Sequence, residues 1–214
     1  MHRYRFVAPI LLALGLVLGA AAAFAQVGVG LSITIAPPLL PVYVQPPIPT
    51  PGYIWTPGYW AYGPYGYFWV PGTWVQPPAV GLLWTPGYWG WNNGVYAFNQ
   101  GYWGSRVGFY GGINYGFGYG GSGYDGGRWN NGAFAYNSAV NNISSTHIQN
   151  VYNSTVVNNN TTVNNVSYNG GAGGVAAQPT AREVTVAHEQ HIAPTPYRPH
   201  MYRLPKVIIR CLLR

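Results

Sequence analysis

Along residues 53–103 the apolar positions are aromatic and recur at a fixed spacing. Trp55-Thr-Pro-Gly-Tyr-Trp60 is followed by Trp69-Val-Pro-Gly-Thr-Trp74 and Trp84-Thr-Pro-Gly-Tyr-Trp89, and a weaker copy, Phe98-Asn-Gln-Gly-Tyr-Trp103, closes the series. The leading aromatics stand 14, 15 and 14 residues apart, which marks an internal repeat. The turn signals between the copies make the segment a set of short β-hairpins. Asn93-Gly94 is the strongest two-residue hairpin signal and pairs Trp91 with Tyr96 and Trp89 with Phe98. A four-residue loop, Gly63-Pro-Tyr-Gly66, pairs Tyr62 with Tyr67 and Trp60 with Trp69. A third hairpin at Asn131-Gly132 pairs Trp129 with Phe134, and residues 91–99 and 129–137 are near copies of each other.

In this register the Pro-Gly pairs become corners between hairpins, type II turns with glycine at positive φ. The rival register makes Pro-Gly the hairpin turn and sets Trp55 across from Trp60. It is disfavoured because type II turns twist against the strands they would join. The expected fold is mainly β: short aromatic hairpin repeats, long low-complexity or disordered Gly/Asn-rich segments, and one short C-terminal helix.

The flanking pattern divides the chain further. Residues 1–25 read as a secretory signal peptide, with His2, Arg3 and Arg5 before an apolar run and Ala23-Phe24-Ala25 as a small-x-small cleavage site. Gln26 is then the mature N terminus. Residues 26–52 hold a strand candidate, Val27 to Ile35, and a proline-rich stretch expected to be an extended spacer. The repeat block occupies 53–104. Residues 105–137 are rich in Gly and Tyr, a flexible linker or a set of close-packed turns, and end in the third hairpin. Residues 138–178 are rich in Asn, Thr and Val and read as disordered or as a polar β-rich stretch. Residues 179–214 hold the helix candidate, Pro179 to His191, and a basic, apolar tail. Thr180 and Glu183 form a capping box at the start of that helix.

Charge sharpens the picture by its absence. Only 6% of residues are charged, the acids are Asp125, Glu183 and Glu189, and no charge occurs from Phe6 to Ser105. The net +7 comes largely from the leader and the last seventeen residues, so the aromatic block lacks the interleaved cations of a nucleic-acid surface. It also lacks any His, Asp, Glu, Lys, Arg or Cys between residues 53 and 103, and general acid–base catalysis has no group to use there. No catalytic residue, cofactor or metal site is therefore expected. His188-Glu189-Gln190-His191 lacks the spacing of the zinc-protease motif, and an exposed short helix is the plainer reading. The hairpin arms, about five residues each, are too short for the 9–11-residue strands of a membrane barrel. No membrane span is expected once the leader is removed. A single Cys211 forbids an internal disulfide.

The Trp rings admit two readings. A small β unit without disulfides needs large side chains to bury enough apolar surface. Alternatively Trp60, Trp69, Trp89 and Trp91 form an open stacking platform for sugar rings or other flat molecules.

With these segments in view, the chain resembles the bacterial WXXGXW-repeat (YXWGXW-repeat) family. The residues that carry the likeness are Trp55, Gly58, Trp60; Trp69, Gly72, Trp74; and Trp84, Gly87, Trp89, with the longer Tyr-x-Trp form at Tyr53 and Tyr67. Residues 111–120, 127–132 and 166–171 are similar to segments that accompany the repeat. The family carries no established activity, so the resemblance implies only export and a cell-envelope or secreted setting. The aromatic rings, read as an interaction module, point to cell-wall polysaccharide or another envelope protein as partner. The sequence leaves the family pattern after about Pro199.

Overall fold

The computed structural model describes residues 32–143, 148–156 and 165–194. The expected leader and its expected cleavage site, the C-terminal tail with Cys211, and parts of the Asn-rich stretch lie outside the described residues.

β1 (Ser32–Ile33) precedes the proline-rich stretch, after which the repeats form two long hairpins. The first consists of β2 (Ile54–Thr56), β3 (Tyr59–Gly63), β4 (Gly66–Val70) and β5 (Thr73–Val75). Trp55 pairs with Trp74 below the break in the ladder, Trp60 with Trp69 above it, in one continuous register. The second, of β6 (Leu83–Thr85), β7 (Tyr88–Asn92), β8 (Val95–Asn99) and β9 (Tyr102–Gly104), repeats the plan, with Trp84 opposite Trp103 and Trp89 opposite Phe98. Each hairpin therefore contains two six-residue copies related by a local two-fold.

The break falls where Pro57-Gly58 faces Pro71-Gly72, and Pro86-Gly87 faces Gln100-Gly101. Proline has no N–H to give to a ladder, so pairing stops there and resumes beyond. This corrects the expected corners: the Pro-Gly pairs lie inside the hairpins, and none of Gly58, Gly72, Gly87 or Gly101 adopts positive φ. The turns themselves follow the sequence. Asn93-Gly94 and Asn131-Gly132 both have positive φ at both positions, the backbone of a type I′ hairpin turn. The expected four-residue loop tightens to a two-residue turn, Pro64-Tyr65, because Gly63 pairs with Gly66.

The Gly/Tyr-rich stretch is not a linker. It forms β10 (Asn114–Gly116) and β11 (Tyr119–Gly120), joined through Phe117-Gly118, both at positive φ. A phenylalanine there is strained, and its ring is held against Tyr43 and Trp55, with centroids 5.4 and 5.8 Å apart. Tyr110, Ile113 and Tyr119 are fully buried in the main core with Trp55, Trp74, Trp103 and Tyr136. The Tyr119 hydroxyl lies 3.2 Å from the Trp55 carbonyl and 3.1 Å from that of Trp84, so one phenol ties together equivalent points of the two repeats. Tyr115 donates to the Gly87 carbonyl at 2.7 Å and Tyr136 to that of Tyr53 at 2.8 Å. Buried polar backbone must find partners, and tyrosine hydroxyls supply them here while bringing a large apolar ring with each donor.

β12 (Gly127–Asn130) and β13 (Ala133–Asn137) form the third hairpin in the expected register, Trp129 opposite Phe134, and β14 (Val151–Tyr152) adds in parallel to β13. β15 (Tyr168–Asn169) runs parallel to β7 while β1 pairs with β8, giving a four-stranded sheet ordered β1-β8-β7-β15. α1 (Ala181–Ala187) is shorter than its candidate span, and Thr180 and Glu183 close the capping box on each other.

The proline-rich stretch is a strap rather than a spacer. Leu40, Gln45 and Ile48 are buried, Leu40 N–H donates to the Asn165 carbonyl, and Gln45 bonds Asn142 through both its side chain and its carbonyl. The indole N–H groups of Trp60 and Trp74 donate to the carbonyls of Leu39 (3.1 Å) and Pro46 (2.8 Å), and the Tyr67 hydroxyl to Ile35 (2.8 Å). A segment rich in proline offers acceptors with few competing donors, which suits donor-only indoles. Among the described residues no helix is long and apolar enough to cross a membrane.

Candidate functional site

The aromatic pairs form as the register demands. Trp60 meets Trp69 edge to face at 5.4 Å, Tyr62 meets Tyr67 at 4.9 Å, Trp89 meets Phe98 at 5.2 Å and Trp91 meets Tyr96 at 4.7 Å. The structure then overturns the open platform. The upper halves of the two hairpins pack on one another: Tyr67 stands edge-on to Trp89 at 5.3 Å, Tyr59 stacks on Phe98 at 5.4 Å, and the Trp89 indole donates to the Trp60 carbonyl at 2.8 Å. Trp89 is 2% exposed and cannot serve as a surface ring. Trp60 and Trp69 are half-buried beneath the strap, where Tyr43 lies 5.8 Å from Trp69. Trp91 alone of the four remains open, at 39%. Sequence spacing placed these rings on one face of each hairpin, but nothing local said that the two faces would meet.

The difference is measurable. Trp89→Ala is expected to cost about 3 kcal/mol or more of stability, as for other buried Trp truncations. Trp91→Ala should cost less than about 1 kcal/mol. Equal losses in denaturant unfolding would contradict the packing described.

The remaining repeat residues are also consumed by the fold. Trp55, Trp74 and Trp103 are buried and Trp84 is half-buried. The conformational role expected of the repeat glycines is replaced by a packing one. Gly58 and Gly72 face each other across the break, as do Gly87 and Gly101. A Cβ on Gly72 would lie 2.5 Å from Cζ2 of Trp55 and 2.9 Å from the Gly58 nitrogen. Reciprocally, Trp69 crowds Gly58, Trp84 crowds Gly101 and Phe98 crowds Gly87. The first ring of each copy thus lies over the glycine of its partner copy.

An open surface of mixed chemistry occurs beside the second hairpin. A cleft of about 380 Å³ lies between its break and α1, with Pro86, Tyr88, Asn99, Gln100 and Tyr102 on one side, Phe109 nearby, Glu183 and Val184 on the helix and His188 at its C-cap. Tyr88 stands edge-on to Phe109 at 5.5 Å. Tyr102 is backed by the His191 ring, stacked at 3.7 Å. Burial pushes the hydroxyls of Tyr88 and Tyr102 above the usual tyrosine range, so both stay neutral near pH 7. The Glu183 carboxylate accepts from the Thr180 N–H and hydroxyl and from the Ser122 hydroxyl at 3.1 Å, so both its oxygens are engaged within the protein. Asn99 and Gln100 are exposed amides, each with donors and an acceptor. The cleft can therefore offer flat apolar rings beside neutral hydrogen-bonding groups. Sequence reasoning missed it because its walls are far apart in the chain; the one local signal was that the fourth copy replaces Pro-Gly by Gln-Gly at residue 100.

The two histidines of the helical segment part company. His191 lies beyond α1, with its Nε2 3.0 Å from the Val186 carbonyl, and its neighbour Glu189 pairs with Arg106. The Arg106 hydrogen bond holds the Glu189 carboxyl below the usual range. Among the described residues no three metal-ligating side chains come together.

Comparison with known proteins agrees with this geometry. The family model for the WXXGXW repeat matches the chain twice, at residues 51–75 and 80–103. Each match coincides with one long hairpin, hence with two six-residue copies. No curated protein and no solved structure matches the chain.

Proposed function

Taking the chain as a WXXGXW-repeat protein, we propose that it is a non-enzymatic, exported protein of the cell envelope or medium, its aromatic β-repeats serving as a structural and interaction module. The observation that carries this reading is the inward use of the repeat: its rings pack the two hairpins on one another, and its glycines admit a ring across the break within each hairpin. The apolar leader ending at Ala25 supports export, and the near absence of charge suits a surface built on amides, hydroxyls and backbone. Fractionation of the expressing cells, with N-terminal sequencing of the product, tests it. The mature chain should begin at Gln26 and appear in the envelope or the medium; an uncleaved chain retained in the cytoplasm would refute it.

The cleft beside α1 favours a second reading, binding of carbohydrate or peptidoglycan. Sugar rings present apolar C–H faces and neutral hydroxyls, which match Tyr88, Tyr102 and Phe109 beside Asn99 and Gln100. Retention on peptidoglycan or insoluble polysaccharide, lost in the Asn99→Ala/Gln100→Ala double variant, would support it. Retention unchanged in that variant, or none on any glycan, would remove it.

A further inference from the structure

The sheet β12-β13-β14 turns Phe134 and Tyr136 into the core and presents its other face outward. On that outward face Arg128 and Asn130 stand opposite Ala135 and Ala133. Two neighbouring alanines leave a hollow of about 260 Å³, walled on the far side by Gln149, Asn150 and Tyr152. Arg128 reaches across it, its guanidinium carbon 4.5 Å from the centre of the Tyr152 ring. A guanidinium lying over a ring keeps its in-plane fork of N–H donors uncommitted.

The rest of the chain supplies no carboxylate side chain to that fork. It has three acidic residues. Glu183 is tied to Thr180 and Ser122, and Glu189 to Arg106 in the one ion pair among the described residues. Burial raises the Tyr152 hydroxyl, Arg128 lowers it and the Asp125 charge raises it further, yet Asp125 makes no ion pair with Arg128. In a molecule so poor in charge, a cation fixed above a hollow of three amides is a specific feature.

We propose that this hollow binds a carboxylate, held two-pronged by Arg128, while the amides of Asn130, Gln149 and Asn150 bond polar groups adjoining it. A planar, bidentate donor fork matches a carboxylate better than a point charge does. Two sources carry this chemistry: the C terminus of a short peptide, and a uronic acid.

The test is an NMR titration of the mature chain, following the Arg128 side-chain N–H and the neighbouring amide NH₂ signals. The probes are N-acetyl-alanine, its methyl ester, and glucuronic acid. Saturable shifts with at least one acid, absent with the ester, are expected, and the tighter of the two acids identifies the source. Arg128→Gln should abolish the shifts of the amide signals, and Arg128→Lys should weaken binding severalfold while keeping the charge. The thermal midpoint of each variant reports whether it is folded; if Arg128→Gln is not, Arg128→Lys carries the comparison. Equal shifts with acid and ester, no shift with either acid, or unchanged binding in the folded variants would overturn the proposal.

Discussion

Gly101→Ala is expected to destabilise the protein by about 3 kcal/mol or more, with Gly72→Ala close behind. Overpacking a close-fitted site costs up to about 3 kcal/mol when side chains can yield, and more when they cannot. Here the obstacle is largely backbone. A Cβ on Gly101 would stand 2.8 Å from the Gly87 nitrogen, 2.7 Å from the Thr85 carbonyl oxygen and 2.5 Å from Cζ2 of Trp84. The ring could move only by leaving the contact that defines the repeat, and the facing strand only by opening the hairpin. Gly63 is the control: it pairs near the turn, has no positive φ, and its added Cβ would meet the Phe68 ring edge at 3.2 Å, on a side chain that is 53% exposed. Gly63→Ala should cost under about 1 kcal/mol. Urea unfolding of the three variants decides the matter. If Gly101→Ala is as mild as Gly63→Ala, the repeat glycine is not a packing residue.

Cooperative unfolding between about pH 10 and 12 is the second large effect expected, with phenolate absorbance appearing together with loss of near-ultraviolet circular dichroism. Burial pushes the Tyr136 hydroxyl up to about 12, those of Tyr110, Tyr115 and Tyr124 higher still, and that of Tyr119 well above the usual tyrosine range. In the unfolded chain these groups ionise near pH 10. A raised folded-state pKa means that the folded form holds its proton longer. The stabilisation is complete below about pH 10 and declines as pH climbs toward the folded value, by about 1.4 kcal/mol per pH unit for each such group. Several tyrosines acting together make the decline steep. Tyr136 and Tyr115 also donate to the carbonyls of Tyr53 and Gly87, and the Tyr119 hydroxyl lies between those of Trp55 and Trp84, so ionisation removes hydrogen bonds that tie the Gly/Tyr stretch and the third hairpin to the repeats. Surface tyrosines contribute phenolate absorbance whether or not the chain unfolds, so the decisive result is the amplitude: absorbance accounting for all 19 tyrosines near pH 10 with the near-ultraviolet circular dichroism intact would contradict the core described.

How much of this was legible beforehand differs by element. The Asn93-Gly94 and Asn131-Gly132 turns were readable because two residues with a rare backbone requirement announce it themselves. The cross-strand partners of Trp89 and Trp129 then followed by counting, and that of Trp60 by counting from the loop at Gly63-Pro-Tyr-Gly66. The capping box at Thr180 was equally local. Pro-Gly was misread because turn statistics describe a dipeptide in isolation. The same dipeptide also satisfies a different demand, a strand that must surrender its ladder and admit a ring from across the break. The proline strap and the Gly/Tyr stretch were underestimated for a related reason. Low complexity signals a high ordering cost, but says nothing of whether distant partners will offset it; Trp60, Trp74 and Tyr67 do so for the strap. The cleft beside α1 and the hollow under Arg128 gave little or no local sign, since each is walled by segments remote in the chain.

By itself, then, the sequence determined the class of the fold, the repeat, three hairpin registers and one helix start, because each depends on contacts within about twenty residues. Tertiary structure decided that the two hairpins close face to face, that Trp89 is interior while Trp91 is not, that the repeat glycines serve contact and not turning, and where open chemistry remains. Those outcomes depend on which surfaces meet, and burial is a property of the meeting, not of either partner alone.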